Sequence, residues 1–412
     1  MSSTGFDSTF FAGNRERLRQ LFTGTAPIVV TANGLLQQSS DEAYPFHQDR
    51  SFYYLTGINE PGITLVMDKG KEYLIVPPRE TIVEQFDGAI DFGELRRVSG
   101  VQTVLYEKEG WRLLTPRLKK VKHVATLGAA PRFIDNYGMY TNPARADLIQ
   151  RMKDIHGDVE LLDLRPHLSR MRMVKQPAEI QAIQQAIDIT NATLKTIMRP
   201  KQLASYAYEY EIEADLSRGF RRSGASGHAF PPIVAGGKRA CTLHNISNEA
   251  PLVNGELLVM DVGAEWQGYA ADITRTVALG GQPTRRQQQI HHAVAEAQDY
   301  AYSLLKPGVL LRDYEKQIET FIGEKLRELG LIKTIERDQI RHYFPHATSH
   351  FLGLDTHDAG DYDRALEPGV IITVEPGIYV PEESIGVRIE DDVLITEEGN
   401  TILSAHLRRD LP

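Results

Sequence analysis

The chain has 412 residues, 42% of them hydrophobic, which predicts a large apolar core divided between two domains of ordinary size. A formal net charge of −9 argues against a surface built to bind nucleic acid phosphates. Cys241 is the only cysteine, so an internal disulfide is excluded, as are metal sites built from several thiolates, whether all-cysteine or mixed with histidine.

The first seven residues lack the basic-then-apolar pattern of a secretory leader. No apolar run approaches the ~18–20 residues of a spanning helix, so the expectation is a cytoplasmic protein with no membrane partner. Residues 14–22 have helical spacing, and residues 27–32, 63–67, 72–76 and 124–128 are short β-branched-rich runs. They predict a small α/β domain over residues 1–170. Pro177, followed by Ala178-Glu179-Ile180, marks a helix start, and the second domain is placed at residues 171–412. That domain reads as a tandem repeat. Helices over 177–198 and 205–222 precede a strand pair around Asp261 and Asp272; helices over 284–305 and 311–329 precede a strand pair around Glu375 and Glu390. Gly255 and Gly369 each lie six residues before the first acid of their pair, as expected of two units about a pseudo-twofold axis.

Leu257-Leu258-Val259-Met260-Asp261 is an apolar strand ending in a charge, and Tyr269-Ala270-Ala271-Asp272 returns across Gln267-Gly268. If Trp266 pairs with Tyr269, Asp272 lies opposite Gly263 and diagonal to Asp261. Two like charges on an apolar ribbon call for a cation between them. Val370 to Glu375 and Gly386 to Glu390 repeat the pattern, with Arg388 two residues from Glu390 and so on the same strand face. His346, His350 and His357 punctuate a Gly-bearing loop, whereas His291 and His292 on a helix read as filler or surface. His-Glu-x-x-His is absent, so the chain is no zincin. Asp261, Asp272, His350, Glu375 and Glu390 form a hard, oxygen-rich donor set that suits two divalent ions, Mn²⁺ before a thiolate-seeking metal.

Five stretches carry a resemblance: Val259-Met260-Asp261-Val262-Gly263, Asp272-Ile273-Thr274-Arg275-Thr276, Ser349-His350-Phe351-Leu352-Gly353, Val374-Glu375-Pro376-Gly377-Ile378-Tyr379 and Arg388-Ile389-Glu390-Asp391-Asp392. Together they resemble the motifs of the pita-bread metallopeptidases, which include methionine aminopeptidase, aminopeptidase P, prolidase and the metal-free creatinase. Tyr44 to Gly57, with Asn59-Glu60-Pro61, is similar to the N-terminal domain of aminopeptidase P. Three positions depart from the relatives: His47 stands where arginine is usual, Ser51 near a usual acid, and Ala347 where glycine is usual.

The resemblance implies an α/β N-terminal domain and an α+β pita-bread catalytic domain with a pseudo-twofold repeat. It implies two divalent ions, Mn²⁺ first and Co²⁺ or Zn²⁺ as alternatives. Asp261 would chelate one, His350 and Glu375 would bind the other, and Asp272 and Glu390 would bridge. Glu375 would shuttle the proton of the attacking water. His244 and His357 would stabilise charge on the carbonyl oxygen. His346 would sit near the proline, and Arg388 would orient substrate or neighbouring groups. The implied reaction is hydrolysis of the Xaa-Pro bond at peptide N-termini, by a homodimer or homotetramer. Xaa-Pro dipeptidase activity is the nearest alternative. A non-catalytic peptide- or protein-binding relative would be expected to have lost ligands, and a creatinase-like enzyme has no use for four converging carboxylates.

Overall fold

The computed structural model describes residues 6–128, 134 and 137–411, so most of the stretch read above for a leader lies outside the described residues. The chain divides into two compact units, Met1–Met171 and Arg172–Pro412.

In the first unit a six-stranded mixed sheet runs in the order Thr103–Tyr106, Lys71–Val76, Thr64–Asp68, Ile28–Thr31, His123–Thr126, Glu160–Asp163. Val29, Val66, Ile75 and Val124 pack with Trp111, Leu114 and Leu118 of helix Glu107–Leu118 and with Leu148 and Met152 of helix Ala144–Ile155. The motif 44–57 does local folding work. Gln48 accepts from Asn33 N and donates to Ile58 O and Glu60 O, and Asp49 caps helix Arg50–Thr56 while pairing with Arg145.

The second unit follows the expected repeat. Helix Pro177–Ile197 begins with proline in its first turn and with Gln176 N donating to Glu179 Oε2 at 2.9 Å. Helices Glu209–Arg222, Arg285–Leu304 and Leu311–Glu328 complete the two pairs. The second helix starts later than the spacing predicts. Residues Pro200–Leu203 form a short helix of their own, Tyr208 bridges Pro251, and buried Glu209 is committed to Gly236 N and Ala250 N. Gly255 and Gly369 adopt the same left-handed backbone, φ 90° and 92°, one on each repeat.

Each expected hairpin is split in two. Leu257–Val262 pairs with Ile273–Ala278, and Ala264–Trp266 with Tyr269–Ala270, around a turn at Gln267 and Gly268 with φ 53° and 84°. One register holds throughout, so Gly263 faces Asp272 as predicted, but the ladder parts there. A Cβ on Gly263 would lie 1.7 Å from Ala271 O. The second hairpin parts likewise, into Ile371–Val374 with Asp391–Ile395 and Gly377–Val380 with Ile385–Arg388, and its register sets Glu375 opposite Glu390. Among the described residues no helix is long and apolar enough to cross a membrane.

Candidate active site

The parted ladders are where the acids converge. Thr276 Oγ1 donates to Arg388 O at 2.9 Å and Glu390 N to Thr274 O at 3.1 Å, which ties one hairpin to the other. Asp272 N donates to Asp392 Oδ2 at 3.1 Å. As a result Asp272, His350 and Glu390 each bring a ligand atom within 4.8 Å of the others. His350 Nε2 stands 3.3 Å from Glu375 Oε1 and 3.5 Å from Asp272 Oδ2. Its Nδ1 lies 3.0 Å from Phe351 O, a carbonyl that can only accept, so the proton belongs on Nδ1 and the Nε2 lone pair faces the carboxylates.

Asp261 is the outlying acid. It does not join the three-residue cluster but accepts from Arg388 Nη2 at 2.6 Å. Arg388 is 3% exposed, and it also donates from Nη1 to Tyr379 OH and from Nε to Thr274 Oγ1. It is therefore an internal brace, not a surface ion pair. His346 Nε2 meets Tyr379 OH at 2.8 Å, with Nδ1 3.7 Å from Glu375 Oε2. The His357 ring packs edge-on to His350, centroids 4.3 Å apart. His244 is exposed; burial first, with a smaller contribution from His244, disfavours charge on His346 and His357. Of the helical histidines, His291 is buried and His292 exposed.

The electrostatics of this cluster call for positive charge. Burial, then the charges of Glu390, Asp261 and Glu375, holds the Asp272 carboxyl well above the usual carboxylate range. Burial and the charges of Glu375 and Asp261 do the same to Glu390. Burial pushes Glu375 up to about 8 against the opposing pull of Arg388. Burial brings His350 down to about 3, so it is neutral and able to ligate at physiological pH. Asp261 Oδ1 and Asp272 Oδ1 are buried oxygens with no hydrogen-bond partner. Hard acceptors without donors, beside a neutral imidazole, fit divalent cations.

Several residues of the site escaped the sequence reading. Thr274 Oγ1 donates to Glu390 Oε2 at 2.6 Å, and Thr373 Oγ1 to Glu375 Oε1 at 3.2 Å. Both lie two residues from an acid, Asp272 and Glu375, so the period-two spacing that singled out Arg388 could have found them. Asp392, two residues from Glu390, carries the same signal, whereas Tyr379 carries none beyond its motif.

Comparison with known proteins fits this geometry. Residues 181–397 match metallopeptidase family M24. The chain belongs to this family. Residues 11–125 match the aminopeptidase P N-terminal domain. A Xaa-Pro aminopeptidase of Haemophilus influenzae is 35% identical over 91% of this chain and 89% of its own. Human Xaa-Pro aminopeptidase 3 is 34% identical over 93% of this chain and 79% of its own. The structure of zinc-substituted Escherichia coli aminopeptidase P in complex with product superposes with a TM-score of 0.84 at 30% identity, covering 98% of this chain and 96% of that one. The M24 family chain described here is thus a metallohydrolase in which divalent cations are the cofactor class.

Proposed function

We propose that this M24 chain is a metal-dependent exopeptidase that cleaves the Xaa-Pro bond at peptide N-termini, with residues 171–412 as its catalytic domain. The observation that carries the reading is the convergence of Asp272, Glu390 and Glu375, from two hairpins whose ladders part at those positions, with His350 from the loop beside strand Ile371–Val374. Asp261, Asp272, His350, Glu375 and Glu390 would hold two divalent ions, with Mn²⁺ suited to four carboxylates and one imidazole. When bound, such ions supply Lewis acidity, which lowers the pKa of water and polarises a carbonyl oxygen.

The chain's own groups do the rest. Glu375 takes the proton of the attacking water and delivers it to the departing prolyl nitrogen. That nitrogen bears no hydrogen within the peptide, so general peptidases that grip an N–H at this position fail there. His357 and His244 stabilise charge that develops on the carbonyl oxygen. His346, oriented by Tyr379, faces the proline side. Arg388 fixes the rotamer of Asp261 through a charge-assisted bond and needs no contact with substrate to do so. A reducing, cytoplasmic setting suits a chain whose one cysteine forms no internal disulfide. Assembly as a homodimer or homotetramer belongs to the same proposal, and light scattering reads it directly.

The test is hydrolysis of Xaa-Pro-Yaa and Xaa-Pro peptides after chelation and Mn²⁺ re-addition. The expected result is tripeptide cleavage that vanishes with chelator and returns with Mn²⁺. Cleavage of dipeptides alone, or none, would overturn the proposal.

A further inference from the structure

The loop 346–350 carries two of the histidines above, and its backbone is held from both sides. On one side it runs along strand Ile371–Val374, where Glu375 N donates to Thr348 O at 2.8 Å and Thr373 N to His350 O at 3.0 Å. That pairing leaves the N–H groups of Thr348 and Ser349 without a strand partner, in residues only 0% and 4% exposed. Glu315, on helix Leu311–Glu328, receives both: Oε2 accepts from Thr348 N at 2.8 Å and Oε1 from Ser349 N at 3.0 Å. Its neighbour Tyr314 meets Ser349 Oγ at 3.0 Å. At the other end of the loop Arg341, on helix Arg337–Tyr343, donates from Nη1 to His346 O at 2.6 Å and is itself anchored by Glu319.

We propose that Glu315 and Arg341 are positioning residues for the reaction, a two-point clamp that fixes where His350 presents Nε2 and where His346 presents its ring. The proposal rests on the reading of His350 as a metal ligand. A carboxylate is required at 315 because two parallel N–H donors need two acceptor oxygens at once. An amide of the same size offers one oxygen and turns an NH₂ against the other donor. Loss of one bond frees the peptide next to His350 to rotate, and a ligand displaced by a fraction of an ångström binds and polarises less well. Glu315, Glu319 and Arg341 also line a cavity of about 500 Å³, so substitution there meets an open side rather than a packed wall.

The variants are Glu315→Gln and Arg341→Gln, the second kept because its side chain is partly exposed. Calorimetric Mn²⁺ titration, the visible spectrum of the Co²⁺-loaded protein, and kcat and KM on Xaa-Pro-Yaa are the readouts. Glu315→Gln is expected to weaken Mn²⁺ binding and lower kcat by about 10–100-fold, the range seen when groups that orient ligands are removed. KM changes little, and the cobalt band shifts. Arg341→Gln is expected to lower kcat/KM and leave the cobalt band nearer to wild type. Metal affinity and spectrum equal to wild type in Glu315→Gln, whatever its melting temperature, overturn the proposal. If that variant does not fold, unchanged kcat/KM in Arg341→Gln does so. Wild-type protein without metal-dependent turnover would sink the earlier reading along with this one. Metal-dependent wild-type turnover beside an unaffected Glu315→Gln would sink this one alone.

Discussion

In the Asp261/Asp272 hairpin the ladder parts where Gly263 faces Asp272, and the freed Ala264 N–H donates to Thr190 Oγ1 at 3.0 Å. In the Glu375/Glu390 hairpin it parts where two glutamates face each other, and Gln298 Nε2 donates at 3.2 Å to Val374 O and to Ile389 O. Thr190 and Gln298 each sit thirteen residues past the start of their repeat's first helix, at Pro177 and Arg285. The two halves thus keep the same plan with different chemistry: an acceptor for a stray donor in one, a donor for stray acceptors in the other. The first hairpin makes room by deleting a side chain at Gly263. The second keeps both side chains and uses longer acids. The shared requirement is that main-chain groups be satisfied elsewhere while the acids turn out of the ladder toward one another.

The largest effect is expected from the acids on both hairpins. Asp272→Asn or Glu390→Gln would remove several kcal/mol of transition-state stabilisation, about a thousandfold or more in kcat. Wild-type rates in either would remove the basis for treating the hairpins as one site. Gly263→Ala should separate the two halves structurally, because the added Cβ meets Ala271 O at 1.7 Å. A loss of about 3 kcal/mol in a denaturant titration is expected; unchanged stability would show that this break is not steric. Thr274→Val removes the donor to Glu390 Oε2 and the acceptor for Arg388 Nε. A fall of about tenfold in kcat is expected, where a purely structural threonine would alter only the melting temperature.

A smaller effect concerns pH. Glu375 is pushed from 4.5 to about 8, so between those values the folded metal-free protein keeps a proton that the unfolded chain has lost. The contribution of Glu375 to stability therefore falls as pH rises through that window. Divalent ions displace this proton, so the gain in melting temperature on adding Mn²⁺ should grow from about pH 5 to about pH 8. His350, brought down to about 3, is neutral in the fold across this range with or without the ions, so its own opposite contribution to stability cancels from the metal-dependent gain. A gain independent of pH would contradict the shared-cluster account.

The sequence made the strands and their acids legible because the signals are local. An apolar run that ends in a carboxylate, a Gln267-Gly268 turn with the register it imposes, and a helix start at Pro177 followed by Ala178-Glu179-Ile180 can all be read within a dozen residues. The splitting of each hairpin was not legible. It depends on Ala271 O crowding Gly263, and on Thr190 and Gln298 reaching across from helices far away in the chain. The brace from Arg388 to Asp261 spans 127 residues, so spacing on one strand could place the arginine on a face but not choose its partner. Glu315 and Arg341 are not singled out by any local pattern, and only the unpaired N–H groups of a distant loop give Glu315 its role.

The central claim is that four acids and His350 gather around two cations. Anomalous diffraction at the manganese edge from crystals soaked in Mn²⁺ tests it most directly. The account predicts two peaks per chain, both within bonding distance of Asp272 and Glu390, with His350 Nε2 on one and Asp261 on the other. Crystals with no anomalous density there, and with the carboxylates of the two hairpins turned away from each other, would contradict it.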